Sequence, residues 1–223
     1  MGGKYNYNLI FNQEFYFPIE AKQAEGEVNI DFLVDINGIA SDFHIIQSVH
    51  PKLDSAFINI IERCLFIPGT NDGVISPMRM KLSEKFKYKK YQKLVKRRKY
   101  AEPPYPFEPY NPSLNIIDFS KVEIKAKTFY QGEEMNIFKF ISQYIKIPDA
   151  AVKQGLKGVV ELEFIIEASG RLSNFKEIRG VGGGCTEEAI RLMQLVDWKP
   201  AMVHGKYIRS TYRIKVNFGH TQY

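Results

Sequence analysis

Cysteine is almost missing from this chain, which holds two thiols, Cys64 and Cys185, in 223 residues. That number cannot build a disulfide framework, and two thiols this far apart read as small buried side chains. Histidine is scarce as well. His44, His50, His204 and His220 share no metal-ligand spacing with each other or with the cysteines, and neither G-x-S-x-G nor H-E-x-x-H occurs. Cys185 at a helix start has no assignable histidine partner. No catalytic residue, metal site or cofactor is therefore expected, and the chain does not read as an enzyme. Long apolar runs are absent too: "GVVELEFIIEA" is the longest, well short of the ~18 residues a membrane span needs. The opening "MGGKYNYNLIFNQ" has no signal core, and its Met-Gly-Gly reads as an appended start, so a native signal or anchor is expected upstream.

Acidic residues are missing from one stretch only. "KFKYKKYQKLVKRRK", residues 85–99, carries nine Lys and Arg and no Asp or Glu, against a net charge of +6 for the whole chain, so everything else sums to −3. Basicity is a local property of this segment. It is expected as a solvated linker or strand extension, with contact to an anionic membrane surface as its candidate role; no nucleic-acid motif accompanies it.

What is present is enough for two cores. The chain is 44% hydrophobic and 25% charged, a globular composition, and its length suits two domains of about 100 residues each. Directly after the basic segment, Pro103, Pro104, Pro106, Pro109 and Pro112 crowd "AEPPYPFEPYNP" and favour an extended spacer. The expected division is 1–100 for a first domain, 101–115 for a proline-rich linker and 116–223 for a second domain.

Sliding the second half back by 132 residues makes the landmarks coincide without a gap: Gly26 with Gly158, Phe32 with Phe164, Gly38 with Gly170, Pro68 with Pro200, Gly73 with Gly205, Phe86 with Phe218. Two copies of one domain follow. In each, alternating apolar residues turn at Asn37-Gly38 or Ser169-Gly170, predicting a β-hairpin. Leu53, Phe57, Ile60, Ile61 and Cys64, matched by Cys185, Ala189, Leu192, Met193 and Val196, predict a helix of about three turns. A closing strand points Ile208, Tyr212, Ile214, Val216 and Phe218 inward, with Met78, Met80, Leu82 and Phe86 as their counterparts. With a helix expected in "NIFKFISQYIKIPDAAVKQG", the fold class is α+β. Each domain is a three-stranded antiparallel sheet packed with helices in the order α-β-β-α-β.

The three glycines of "RGVGGGCTEEA" raise the question of a phosphate cradle. The first copy makes the same transition with "SVHPKLDSAF" and no glycine. Glu187 and Glu188 fill the first helical turn, where they would repel an anion, and no Lys-Ser/Thr follows. The glycines belong to the fold.

These residues carry a resemblance. The stretch "IPDAAVKQGLKGVVELEFIIEASGRLSNFKEIRGVGGGCTEEAIRLMQLVDWKPAMVHGKYIRSTYRIKVNF" resembles the C-terminal domain of TonB-family energy transducers of the Bacteroidetes type. Its marks are Gly158, Gly170, Trp198-x-Pro200-Ala201 and Gly205-Lys206 ahead of the closing strand, and "FYQGEEMNIFKFISQYIKIP" extends it back to about Phe129. The first copy departs: Phe66 stands for Trp198, Val74 for Lys206 and Pro77 for Arg209. The resemblance implies a periplasmic module, anchored or exported by a segment absent from this chain. It would couple the proton-driven motor proteins ExbB and ExbD to outer-membrane receptors by adding the receptor's TonB box to its sheet as a strand. The expected contact strand is the last of the second copy, with Arg209, Thr211, Arg213 and Lys215 facing outward. Without a partner, the same residues solubilise an edge. Trp198 and Pro200 are expected to form a packed corner and Gly205 a turn. The alternative is a non-energised scaffold or sensor module, distinguished by what precedes the domains in the full-length gene.

Overall fold

The structure, a computed structural model, describes residues 4–102 and 106–219. The chain divides into two compact units, Gly2–Pro104 and Tyr105–Tyr223. His220 lies outside the described residues.

In the first unit, helix α1 (Lys4–Glu14) leads to strands β1 (Gly26–Val34) and β2 (Ala40–Gln47) and helix α2 (Pro51–Glu62). The small hairpin β3 (Gly69–Asn71) and β4 (Val74–Ser76), strand β5 (Met78–Phe86) and helix α3 (Tyr88–Arg98) complete it. The sheet is antiparallel in the order β2-β1-β5. Val28, Ile30, Phe32 and Val34 alternate into the core because a strand repeats every second residue. Helix α2 starts where His50 Nδ1 accepts the Lys52 N–H at 3.2 Å and Pro51 pre-sets the first turn. Its stripe of Leu53, Phe57, Ile60 and Ile61 is buried on the sheet.

The second unit contains β6 (Lys127–Tyr130), β7 (Glu133–Glu134), α4 (Ile137–Tyr144), α5 (Asp149–Lys153), β8 (Val159–Ile166), β9 (Leu172–Arg179) and α6 (Cys185–Leu195). The short β10 (Asp197–Lys199), β11 (Met202–Val203) and β12 (Lys206–Tyr207) lead to β13 (Ser210–Asn217). Its main sheet runs β13-β8-β9, and a minor one runs β10-β6-β7. The single helix expected before the hairpin is two: α4 ends at Tyr144, Ile145 turns extended (ψ 134°), and Pro148 (ψ 140°) precedes the first turn of α5.

The two sheets have the same register once numbers are shifted by 132. Val34 faces Met78 as Ile166 faces Ser210, and Asn29 faces Gln47 as Glu161 faces Arg179. Even the irregularities repeat: both hairpins slip at equivalent points, and Asp42 and Asn174 share a φ of 51°. A β-bulge re-aims a whole strand, so matching bulges mean matching edges.

Two glycine positions explain themselves by close approach. At Gly183 (φ +59°) a Cβ would sit 2.9 Å from the Ala151 backbone, so the glycine run lets α5 pass against the start of α6. At Gly170 (φ +76°) a Cβ would run into the Trp198 carbonyl oxygen, as at Gly38 it would meet that of Phe66.

Two expectations are corrected. The basic segment is neither linker nor strand extension: residues 88–98 form α3, which buries Tyr91 and Leu94. The proline-rich stretch does not run free as a spacer, because residues from Phe107 onward are hydrogen bonded into the second unit.

Candidate functional site: the sheet edges

An antiparallel strand at the border of a sheet offers the N–H and C=O of every second residue outward. On β13 and the chain leading into it, these are Tyr207, Arg209, Thr211, Arg213, Lys215 and Asn217, since the even-numbered residues pair with β8. The first three are already engaged. Tyr207 N–H donates to Pro109 O (2.8 Å) and Asn111 N–H to Tyr207 O (2.9 Å). Ile117 N–H donates to Arg209 O and Thr211 N–H to Ile117 O, both at 3.0 Å. Phe119 N–H adds a bond to Thr211 Oγ1 at 3.2 Å. The bridges at Tyr110–Tyr207 and Ile117–Ser210 are parallel. Residues 107–119 thus form a strap pinned to the start of this edge at two isolated parallel bridges, seven residues apart in the strap and three apart along the edge.

A buried ion pair holds the strap. Arg209 Nε and Nη2 donate to the two Glu167 oxygens at 2.7 and 3.0 Å, and Nη1 donates to the Leu114 carbonyl at 2.5 Å. Ser173 Oγ donates to the same carboxylate. Both charges are 5% exposed, so each depends on the other and on these bonds. The outward orientation expected for Arg209 is therefore corrected. It precedes β13 at a corner where the backbone carbonyl faces the strap while the side chain turns into the fold. Tyr207, at 9% exposure, is likewise covered, with its ring 5.5 Å from Phe107. By contrast most strap side chains, including Leu114 and Phe119, stay exposed, so backbone bonds carry the attachment.

Beyond Thr211 the edge is uncovered. Among the described residues, nothing pairs with the outward backbone groups of Arg213, Lys215 and Asn217. Arg213 is bonded to Glu163 (2.7 Å), which lifts its pKa, and Lys215 lies 3.9 Å from Glu161.

In the first unit the equivalent edge, Arg79, Lys81, Ser83 and Lys85 of β5, has no partner strand among the described residues. The clamp is missing with the strap: Pro77 stands at the place of Arg209 and Asp35 at that of Glu167, where its carboxylate accepts the Asn37 and Ile39 N–H groups of its own turn. Residues the strap would have covered are bare. Ile75, at the place of Tyr207, is 57% exposed, and Met78, at that of Ser210, is 45% exposed, which corrects its expected inward position. Arg79 is drawn onto the solvent face by Asp31 and Asp42.

Trp198 is buried, donates Nε1–H to Met193 O (2.9 Å) and meets Phe164 and Tyr212 edge-on. Pro200 is buried beside it. Gly205 follows His204 in the β11–β12 turn, both with positive φ. Gly158 accepts the Phe218 N–H at the end of the edge strand. The Cys185 thiol is buried and its pKa raised, by desolvation and then by Glu187, which opposes nucleophilicity. Sequence reading missed Glu167 and the strap residues Pro109, Leu114 and Ile117; the paired change of Arg209 to Pro77 and Glu167 to Asp35 was the available signal.

The chain thus consists of duplicated small α+β modules with bordering strands, one open and one partly self-paired among the described residues. The family model described as Gram-negative bacterial TonB protein C-terminal matches residues 13–89 and 143–219, and the chain belongs to that family, in two tandem copies. A comparison with curated proteins finds no match. No helix among the described residues is long and apolar enough to cross a membrane.

Proposed function

We propose that this protein is a periplasmic TonB-like transducer module that captures extended segments of outer-membrane TonB-dependent receptors by strand addition. The motor proteins ExbB and ExbD would connect to it through an N-terminal anchor outside this sequence. The observation that carries this is the uncovered β5 edge, four outward residues long and free of the strap that covers the equivalent positions of the second copy. The exposed end of β13 from Arg213 to Asn217 is a second, shorter site. Of the residues first assigned to contact, Arg213 and Lys215 remain beside open backbone, whereas Arg209 and Thr211 border it only once the strap has left.

The strap itself supports the chemistry, because its backbone bonds to such an edge at two parallel bridges. Roughly five backbone bonds at ~1 kcal/mol each, less the cost of ordering a flexible peptide, give weak and reversible capture, which suits a cyclic transducer. The test is an NMR titration of the full chain with receptor-box peptides. Shifts and amide protection at Lys81, Ser83 and Lys85 support capture. A silent β5 with shifts confined to helices removes the assignment and favours the scaffold alternative.

A further inference from the structure

We propose that the groove between α1 and α3 of the first unit, which shares Lys85 with the β5 edge, binds the phosphate headgroups of an anionic phospholipid surface. Folding sorts the nine cations of residues 85–99 into distinct roles. Arg98 is spent on structure: its guanidinium donates to the carbonyls of Asn12 (3.1 Å), Tyr100 (2.8 Å) and Ala101 and lies over the Tyr91 and Tyr100 rings. Lys90, Lys93 and Arg97, spaced three and four apart, instead line one flank of α3, because such spacing keeps side chains on one face of a helix. Lys85 and Lys87 join them from the end of β5.

Counter-charge is short. Among the described residues, Glu84 is the one acid lining the groove, and it already accepts from Tyr7 (3.1 Å) and Lys90 (2.9 Å). Lys87 reaches Glu25 at 3.8 Å, and Arg97 donates to the neutral Asn12 side chain. Among the described residues, neither Lys85 nor Lys93 has a carboxylate within 4.0 Å, although Lys85 stands opposite Glu27 in the sheet. The cleft they border has a volume of about 390 Å³ and an aromatic floor of Phe11, Phe15, Phe17 and Tyr91, with the first two stacked at 4.6 Å. Phe15, Phe17 and Tyr91 are at most 7% exposed, so the floor is already packed and the row of cations above it selects the ligand. Lysine stems can lie on apolar surface while their heads meet phosphate. A surface of repeated phosphates can meet cations spread over the end of β5 and two turns of α3 at once, whereas an acidic peptide does so only by ordering its whole length, so the lipid surface is the better fit.

The experiment is flotation of the full chain with vesicles of phosphatidylcholine alone or with one third phosphatidylglycerol, at low and moderate salt. Binding is expected only with phosphatidylglycerol and should fall with salt. The exposed-site variant Lys85→Gln/Lys93→Gln/Arg97→Gln should lower partitioning about 100-fold, at roughly fivefold per cation. Lys89→Gln/Lys96→Gln on the other flank should change it far less, and thermal unfolding should show both variants folded. Equal binding to both vesicle types, equal loss in both variants, or preferential capture of polyglutamate over vesicles overturns the proposal.

Discussion

Arg209 and Glu167 form a pair whose members cannot be removed singly without leaving a charge in the interior. Glu167→Gln or Arg209→Met should cost about 3–5 kcal/mol in urea unfolding of the second unit, whereas Arg209→Met/Glu167→Leu together should cost much less. Gly170 and Gly205 separate two effects that share a positive φ. Gly170→Ala adds a collision with the Trp198 carbonyl to the backbone strain, while Gly205→Ala meets open space, so the first should lower thermal stability clearly more than the second, which carries about 1 kcal/mol of strain alone. Glu188 gives a pH signature. Burial pushes its pKa up, but the Arg191 guanidinium and the Lys146 N–H outweigh that and hold it below the ordinary 4.5. A depressed folded pKa contributes stability that is present above 4.5 and lost as pH falls through the folded value. Unfolding midpoints measured down the acid limb should drop through this window, and Glu188→Gln should flatten the drop.

Among the elements, the strap and β13 compete for one description. Alternation along residues 207–215 was legible and correctly separates inward from outward backbone, yet it also made Arg209 look like a surface side chain. Its partner Glu167 lies 42 residues away, and no local pattern reports a contact of that range. Proline content likewise pointed to a non-helical stretch over residues 106–112, which bends at Glu108 and Pro109, but not to the edge it docks on, because backbone pairing leaves little side-chain signature. Helix α3 had the opposite problem: Tyr88, Tyr91, Leu94 and Val95 spell a helical face, outweighed on reading by nine charges. What was plain was the duplication, since turn glycines and core positions are dictated by geometry that both copies share. Ile117→Pro removes the N–H that reaches Arg209 O. Amide exchange at Tyr207 and Thr211 should then accelerate at least about tenfold, with Tyr212 and Ile214, bonded to β8, unchanged. Receptor-box peptides should meanwhile gain access to the second copy.

For the molecule as a whole, duplication has given one copy a cover and left the other bare. An uncovered border with Ile75 and Met78 exposed beside it invites self-pairing, which Lys81 and Lys85 only moderate. Residues 1–102 produced alone should therefore associate as concentration rises in sedimentation velocity, while residues 105–223 stay monomeric. A monomeric first unit at high concentration would mean that its edge is protected in some other way.

The strap is also the stretch of backbone through which the second copy is joined to the first. Among the described residues of the second unit, a mechanical load passed along the chain from the first copy would reach the Phe107 N–H bond to Ala168 first, and then the bonds at Pro109, Asn111 and Ile117 in turn. Tension would strip this border like a seam unpicked from one end, converting a pull into newly exposed pairing groups.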